Sequence, residues 1–529
     1  MVSQHGILLA AHVISSFYGD LCSKVCECLL RKGTLKLDEI GKSTQLSREN
    51  VFNCLRVLIH QNCVQAFQLE QEGVKAQKST HYMVLFDNIM HKLRATKFMQ
   101  IVSEELGEDC RGIFDGLIQH GRLSLDQIID REKQKTGSSD NQVVHDSFRR
   151  LLSARFIERC PLPGPLLTPP TDEAPAKKRG AKSGEITERK TIEQLALEAA
   201  APSELIRFSM DTGDISEEKG EESTSIPKVG QKRKNIVLDS DDELADVNRK
   251  IEVLWRVNFE EFLWRLIHKA CISHVKTSIN NEASIVLSAA LDLIGQSETR
   301  MNAENSPDLS INDIYEEVIK KDGGVGMDLD RVQTSLEQLG CETLATDMES
   351  YSIDIKSFIQ MAQNQEVESM ILKRYGKEAY KIFRLLSRAG RLVETDKISD
   401  ITFVEKKETT KILFQLWKDG YLHMESMTAA RPPSFHLWKV DQKRFREKFL
   451  DEMYHAVLNL KLRIAHEQDQ RKEKIGLNDL SDVLQVLQIP KDKLVGELRN
   501  KVMVYRIVRA TLERSLMDLD DAVVLFHHF

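Results

Sequence analysis

Apolar positions along most of the chain recur every three or four residues, the period of amphipathic helices, and they do so in a unit that repeats four times. The first copy reads Gly33-Thr-Leu35-Lys-Leu37-Asp-Glu-Ile40, a polar turn, then Val51-x3-Leu55-x2-Leu58-x5-Val64. The second keeps both halves at matching offsets, Gly121-Arg-Leu123-Ser-Leu125-Asp-Gln-Ile128 and Val144-x3-Phe148-x2-Leu151-x5-Ile157. Two degraded copies follow: Leu309 to Ile314 with Val332-x3-Leu336-x2-Leu339, and Gly390 to Ile398 with Leu413-x2-Leu416-x5-Leu422. A repeat of this kind decides architecture before any single motif does.

Each copy predicts the same small module. An opening amphipathic helix, such as Leu21 to Leu30 or Lys377 to Ser387, is followed by a Leu-x-Leu stretch and a second helix holding Ile40, Ile128, Ile314 or Ile398. A third helix then faces its i, i+4, i+7 stripe to the same core. Extended segments close the module at Cys63 to Leu69, at Arg155 to Cys160, and at Tyr421 to Met424 paired with Phe435 to Val440 around an Arg431-Pro432-Pro433-Ser434 loop. Three helices and a β-hairpin make a winged helix. Beyond Asp441 the pattern lengthens: Phe449, Met453, Ala456, Leu460 and Ile464 form one seam, and Leu498, Tyr505, Leu512 and Leu519 another. These seams predict an antiparallel coiled-coil hairpin, joined through Glu467 to Pro490 and docked on a partner rather than self-zipped.

The expected fold is mainly α with small β-wings (α+β): four tandem winged-helix domains and a C-terminal helical hairpin. We place winged helices at 1–90, 91–160, 249–365 and 366–440, with terminal helices at 441–529. Residues 161–248 break the periodicity, opening with Pro161, Pro163, Pro165, Pro169, Pro170 and Pro175. Prolines at that density exclude helix interiors and central strands, so the segment reads as a charged, mostly disordered linker. Within it, residues 192–208 form a weakly periodic island broken by Pro202, which the sequence leaves open.

The 529 residues carry a net charge of -7, 41% apolar, 29% charged and 6% aromatic side chains. Nucleic-acid affinity would therefore come from local basic patches, not from overall charge. The apolar run Ile7 to Ile14 is interrupted by His12 and is far shorter than the ~20 residues of a membrane span, so neither a signal peptide nor a transmembrane helix is expected. Nine irregularly spaced cysteines do not make a secreted disulfide framework, which points to a reducing compartment. In the linker, Lys177-Lys178-Arg179 and Lys232-Arg233-Lys234 are candidate nuclear-import clusters. Ser240, followed by Asp241, Asp242 and Glu243, is a candidate phosphorylation site.

Catalytic motifs fail on inspection. Cys22-x3-Cys26-x-Cys28 lacks a second cysteine pair, and Cys22 and Cys26 fall one helical turn apart as small buried side chains. Gly41-Lys42-Ser43 matches the end of a phosphate-binding loop, but Lys36 stands where its first glycine is required. His466-Glu467 begins like a zinc-protease helix, but Gln470 replaces the second histidine. Neither a nucleophile elbow nor a dinucleotide fingerprint is present. We therefore expect no enzyme activity, cofactor, metal or small-molecule substrate.

Helix 3 is the groove-entering element of a DNA-binding winged helix. In the second module Arg149, Arg150 and Arg155 lie off the apolar stripe, and in the fourth Lys406, Lys407 and Lys411 stand before and on helix 3. These six are candidate phosphate contacts, sequence-independent in kind. Modules one and three offer Glu49 and Asn50, and Asp330 and Glu337, at the same places.

This arrangement resembles the family of the large winged-helix subunits of RNA polymerase III, akin to the alpha chain of general transcription factor IIE. The resemblance spans the chain and rests on the Gly33 to Val64 unit, Phe148-Arg149-Arg150-Leu151 through Arg159-Cys160-Pro161, and Arg374-Tyr375-Gly376 followed by Ile382-Phe383-Arg384. The chain departs from the pattern most in the linker and at Gly323-Gly324-Val325-Gly326. The resemblance implies a nuclear, noncatalytic subunit in a heterotrimer with two other polymerase III subunits, seated on the clamp of the largest subunit. It implies assistance to initiation and promoter opening at tRNA, 5S rRNA and other small RNA genes, with weak, nonspecific contact to promoter DNA. The alternative is a free-standing winged-helix transcription regulator, which would need base-reading helices that modules one and three do not supply. A scaffold of the proteasome-lid type would carry one winged helix on a helical solenoid, and a hydrolase or transferase would need the motifs that fail above.

Overall fold

The computed structural model describes residues 2–71, 77–136, 141–167, 190–210, 253–296, 308–344, 347–427, 435–475 and 497–527. The chain forms two compact units, Met1–Arg31 with Glu260–Phe529, and Lys32–Phe259. Among the described residues no helix is long and apolar enough to cross a membrane.

The chain opens with α1 (Gln4–Tyr18), whose N-cap Ser3 hydroxyl accepts from the Gly6 amide. The amphipathic α2 (Asp20–Lys32) buries Cys22, Val25, Cys26 and Leu29. In the Lys32–Phe259 unit, α3 (Leu37–Thr44) and α4 (Arg48–His60) are the helix-turn-helix of the first module, and β1 (Val64–Gln71) and β2 (Gln77–Val84) its wing. Then follow α5 (Phe86–His91), α6 (Ala95–Leu106), α7 (Glu108–His120), β3 (Leu123–Ser124), α8 (Leu125–Thr136), α9 (Asn141–Ser153), β4 (Ile157–Arg159) and β5 (Leu166–Leu167). The unit closes with α10 (Ile192–Ala200), α11 (Glu204–Arg207) and β6 (Leu254–Val257).

Two strands lie where the linker or the third module is expected. β5 adds in parallel to β1, with Gln68 opposite Leu166. β6 pairs antiparallel with both β3 and β4, so the sheet of module two runs β3-β6-β4 and is closed by residues expected in module three. The physical reason is burial: Trp255 and Val257 are each 3% exposed, and Phe148 meets the Trp255 ring edge-on at 5.1 Å. The open stretch 192–208 is a capped helix and a short turn of helix. Thr191 and Gln194 form a reciprocal capping box, and Ala196 packs against Phe67 and Met83 of the first wing.

The other unit resumes with α12 (Phe259–Ser278), α13 (Asn281–Gln296), β7 (Leu309–Ser310), α14 (Ile311–Lys320), α15 (Leu329–Gln338), β8 (Glu342–Leu344) and β9 (Asp347–Ser352). Their core gathers Ile267, Val286, Leu291, Ile314, Val332 and Leu336 into module three. Next come α16 (Ile355–Ala389), β10 (Val393–Glu394), α17 (Thr395–Thr402), α18 (Lys406–Lys418), β11 (His423–Met427) and β12 (Phe435–Lys439), which make module four with sheet order β10-β12-β11. Trp438 is fully buried there, its indole N–H donating to the Thr395 hydroxyl at 2.9 Å. The expected turn at Arg431 to Ser434 lies outside the described residues.

The long helices α19 (Gln442–Ile475) and α20 (Glu497–His527) pack on each other as expected, but they are joined by α1. Its apolar run, expected in the first winged helix, buries Ile7, Leu9, Val13 and Ile14. The Asp451 carboxylate of α19 accepts from the His5 amide at 3.0 Å and meets the His5 ring at 2.7 Å. The N-terminal helix is thus a third member of the terminal bundle.

Candidate nucleic-acid interface

Helix α9 buries Ser147, Phe148, Leu151 and Leu152, and this stripe leaves Arg149 and Arg150 on the opposite face. Arg149 stands 3.9 Å from Asp146, both well exposed, a pair worth little in water. Arg150 donates to the Leu106 carbonyl at 2.8 Å, capping the end of α6. Arg155 is no longer on the helix: it adopts a left-handed conformation with φ 58°, and its guanidinium lies 5.4 Å from the Phe208 ring centroid. All three arginines have a partner within the chain, Arg149 only the loose, exposed one.

Helix α18 buries Thr409, Ile412, Leu413 and Leu416. Lys406, Lys407 and Lys411 all lie on the helix itself and are exposed. Lys406 is 3.3 Å from Asp396 and Lys411 is 3.4 Å from Glu408. Lys407 makes no ion pair among the described residues. Cations in the first turn oppose the helix macrodipole, an arrangement that costs rather than stabilises, by roughly 0.3–1 kcal/mol each. The same face continues to Trp417, 44% exposed, and Lys418, which sequence reasoning misses although their i+10 and i+11 spacing from Lys407 is a usable signal.

Modules one and three present different surfaces. Arg48 at the start of α4 sits 3.7 Å from Asp38, beside Glu49, and Arg331 on α15 is paired at 2.5 Å with Glu282. The six candidates belong to modules two and four, one module in each unit. Lys177, Lys178, Arg179, Lys232, Arg233, Lys234 and Ser240 lie outside the described residues.

The side chains that could do chemistry are disposed against it. Burial pushes the thiols of Cys63, Cys160 and Cys341 up to about 11, and that of Cys271 to about 12, the opposite of what a nucleophilic thiolate needs. Cys22 and Cys26 are buried in α2. Gly41-Lys42-Ser43 lies inside α3 and forms no loop. Among the described residues no group of three or more His, Cys, Asp or Glu is placed to hold a metal.

The helix-turn-helix units and their small sheets define a tandem winged-helix protein, and comparison with known proteins narrows the class. The family model "RNA polymerase III subunit RPC82" matches residues 146–370. "RNA polymerase III subunit RPC82 helix-turn-helix domain" matches 8–69, and "POLR3C, C-terminal winged-helix domain" matches 367–440. The rat DNA-directed RNA polymerase III subunit RPC3 is 22% identical over 504 residues, covering 92% of this chain and 88% of the relative. The Dictyostelium discoideum protein of the same name is 20% identical over 671 residues, covering 98% and 99%, and the zebrafish (Danio rerio) one is 24% identical over 485 residues, covering 88% and 84%. The chain belongs to the RNA polymerase III subunit RPC82/RPC3 family, whose members are noncatalytic.

Proposed function

We propose that this chain is a nuclear subunit that supports initiation and promoter opening by RNA polymerase III at tRNA, 5S rRNA and other small RNA genes. It works in a heterotrimer with two further polymerase subunits, seated on the clamp of the largest subunit, and contacts promoter DNA weakly and without reading sequence. The relatives' names support the assembly. The observation that supports the DNA contact is the outward face of α18, where Lys406, Lys407, Lys411 and Lys418 line up although the first two oppose the helix dipole. Arg149 is the matching contact on module two, its 3.9 Å pair with Asp146 being exposed and weak, with Arg150 and Arg155 secondary because the Leu106 carbonyl and the Phe208 ring hold them. The exposed face of α18 offers lysines and a single Gln415 rather than a set of Arg, Asn and Gln for reading base edges, which disfavours a free-standing regulator. The clusters Lys177-Lys178-Arg179 and Lys232-Arg233-Lys234 serve nuclear import, and Ser240 accepts phosphate.

The test is polymerase III depleted of this chain. The reading expects RNA synthesis on a pre-opened, tailed template to persist, and permanganate-reactive thymines at a closed promoter to disappear until the chain is restored. Unchanged promoter opening without the chain would contradict it.

A further inference from the structure

Helix α16 joins module three to module four, and it is not continuous. Phe358 and Ile359 in its first half belong to the core of module three, whereas Ala379, Ile382, Phe383 and Leu386 in its second half are buried beyond the break. The break is one residue, Gly376, at φ 88° and ψ -178°, a conformation open only to glycine. A Cβ built there would meet no heavy atom within 4 Å, so the backbone angle, and not crowding, requires glycine.

The two residues before the break are held from outside the helix. Arg374 donates to the Tyr421 hydroxyl at 2.8 Å and to the Glu452 carboxylate at 3.0 Å, and Tyr421 donates to the same carboxylate at 2.7 Å. The Tyr375 hydroxyl donates to Asp419 at 2.7 Å, and the Tyr375 and Tyr421 rings meet edge-on at 5.8 Å. Tyr421 follows α18 in module four and Glu452 lies on α19, so two elements besides α16 close on the Arg374-Tyr375-Gly376 run. Across the break, the Tyr380 hydroxyl donates to Glu368 at 3.3 Å, and Arg384 stands 3.8 Å from the same carboxylate.

We propose that Gly376 is a hinge between modules three and four and that Arg374, Tyr375, Tyr421, Asp419 and Glu452 are its latch. Undoing the latch frees the first half of α16 from the Asp419–Tyr421 turn and α19, and lets modules three and four move relative to one another about Gly376. The hydrogen bonds are directional, and although the Tyr421 ring is buried at 1% exposure, two of their other ends are open to water, Arg374 being 51% and Glu452 35% exposed, so water competes for the Arg374–Glu452 contact. The device is independent of the role proposed above, and its test requires neither polymerase nor DNA.

Spin labels carried on unnatural amino acids at Glu316 of α14 and Lys397 of α17, both exposed, report the distance between the modules in the full-length chain. Double electron–electron resonance is expected to show one narrow distance for the native sequence. The pair Tyr421→Phe with Glu452→Gln is expected to broaden it by at least twofold, and Gly376→Ala to move the main population to a new distance. Identical narrow distributions in all three would overturn the hinge. A lower melting temperature with unchanged distances would overturn the latch, leaving the cluster as packing alone. Should Gly376→Ala fail to fold, Tyr375→Phe with Tyr421→Phe, which keeps both rings, decides the question by the same broadening.

Discussion

Among single residues, small backbone and charge requirements hold modules one and two as a single unit. Gly121, at φ 82°, lies so close to the end of α4 that a Cβ would come within 2.3 Å of the His60 carbonyl oxygen. Asn62 sits in the left-handed region at φ 57°, donates to the Gly121 carbonyl at 3.3 Å and accepts from Arg122 at 2.8 Å. Gly121→Ala is expected to cost roughly 2–4 kcal/mol, because it adds both a backbone penalty and a backbone clash. Denaturant unfolding should show this as a lower midpoint at unchanged slope. Glu158, 3% exposed, accepts from Arg256 at 2.8 Å and is bonded by Arg207 as well. Removing the acid takes the carboxylate from two largely buried guanidinium groups, so Glu158→Ala should cost about 3–5 kcal/mol, whereas Arg207→Ala alone should cost less. For DNA, Lys407→Glu with Lys411→Glu should lower affinity for all sequences alike and reduce the slope of log K against log salt by about 2, measured by fluorescence anisotropy. A change in sequence preference would be the wrong result for a phosphate contact.

At the level of helices and strands, the four helix-turn-helix repeats are legible because they are local: Ile40, Val51, Leu55 and Leu58 declare their period within a few turns, and all are buried. What escapes is long-range pairing. β6 reaches its partner β3 across more than a hundred residues, with Leu123 opposite Trp255, and periodicity carries no information about the partner of a four-residue strand. The island at 192–208 escapes because its stabilisation is tertiary: Arg159 donates to the Ser209 carbonyl at 2.9 Å, and Ala196 packs on the first wing. Helix α1 reads as part of the first module because nothing local names α19 as its partner. Its docking should depend on pH. Burial, and then the charge of Lys461, hold the His12 pKa below the ordinary 6.5. The unfolded chain therefore takes up that proton first, and the stabilisation, complete above the ordinary histidine range, is lost as pH falls below it. Asp451 acts further down: burial opposes its ionisation, but hydrogen bonds from His5 and Ser3 outweigh this and hold its pKa below the usual 3.8. Its contribution is present above that value and lost only in stronger acid. Hydrogen exchange, corrected for intrinsic rate, should show α1 protection falling between pH 7.5 and about 5.5, and His12→Gln should flatten that fall.

For the molecule as a whole, the repeat number, the terminal helical pair and the failure of every catalytic motif are all readable in the chain. Which basic side chains stay free is not, because Arg150 and Arg155 differ from Lys407 only in what the fold brings to them: the Leu106 carbonyl and the Phe208 ring. These winged helices serve an assembly, in our reading, with DNA contact secondary and screened by salt. Mass spectrometry of the tagged full-length chain, purified from nuclei and washed at ~0.5 M salt so that exposed phosphate contacts dissociate, puts this to the test. Stoichiometric recovery of the large RNA polymerase III subunits and of two smaller partners is expected. Recovery of the chain alone, or with proteins outside that polymerase, would contradict it.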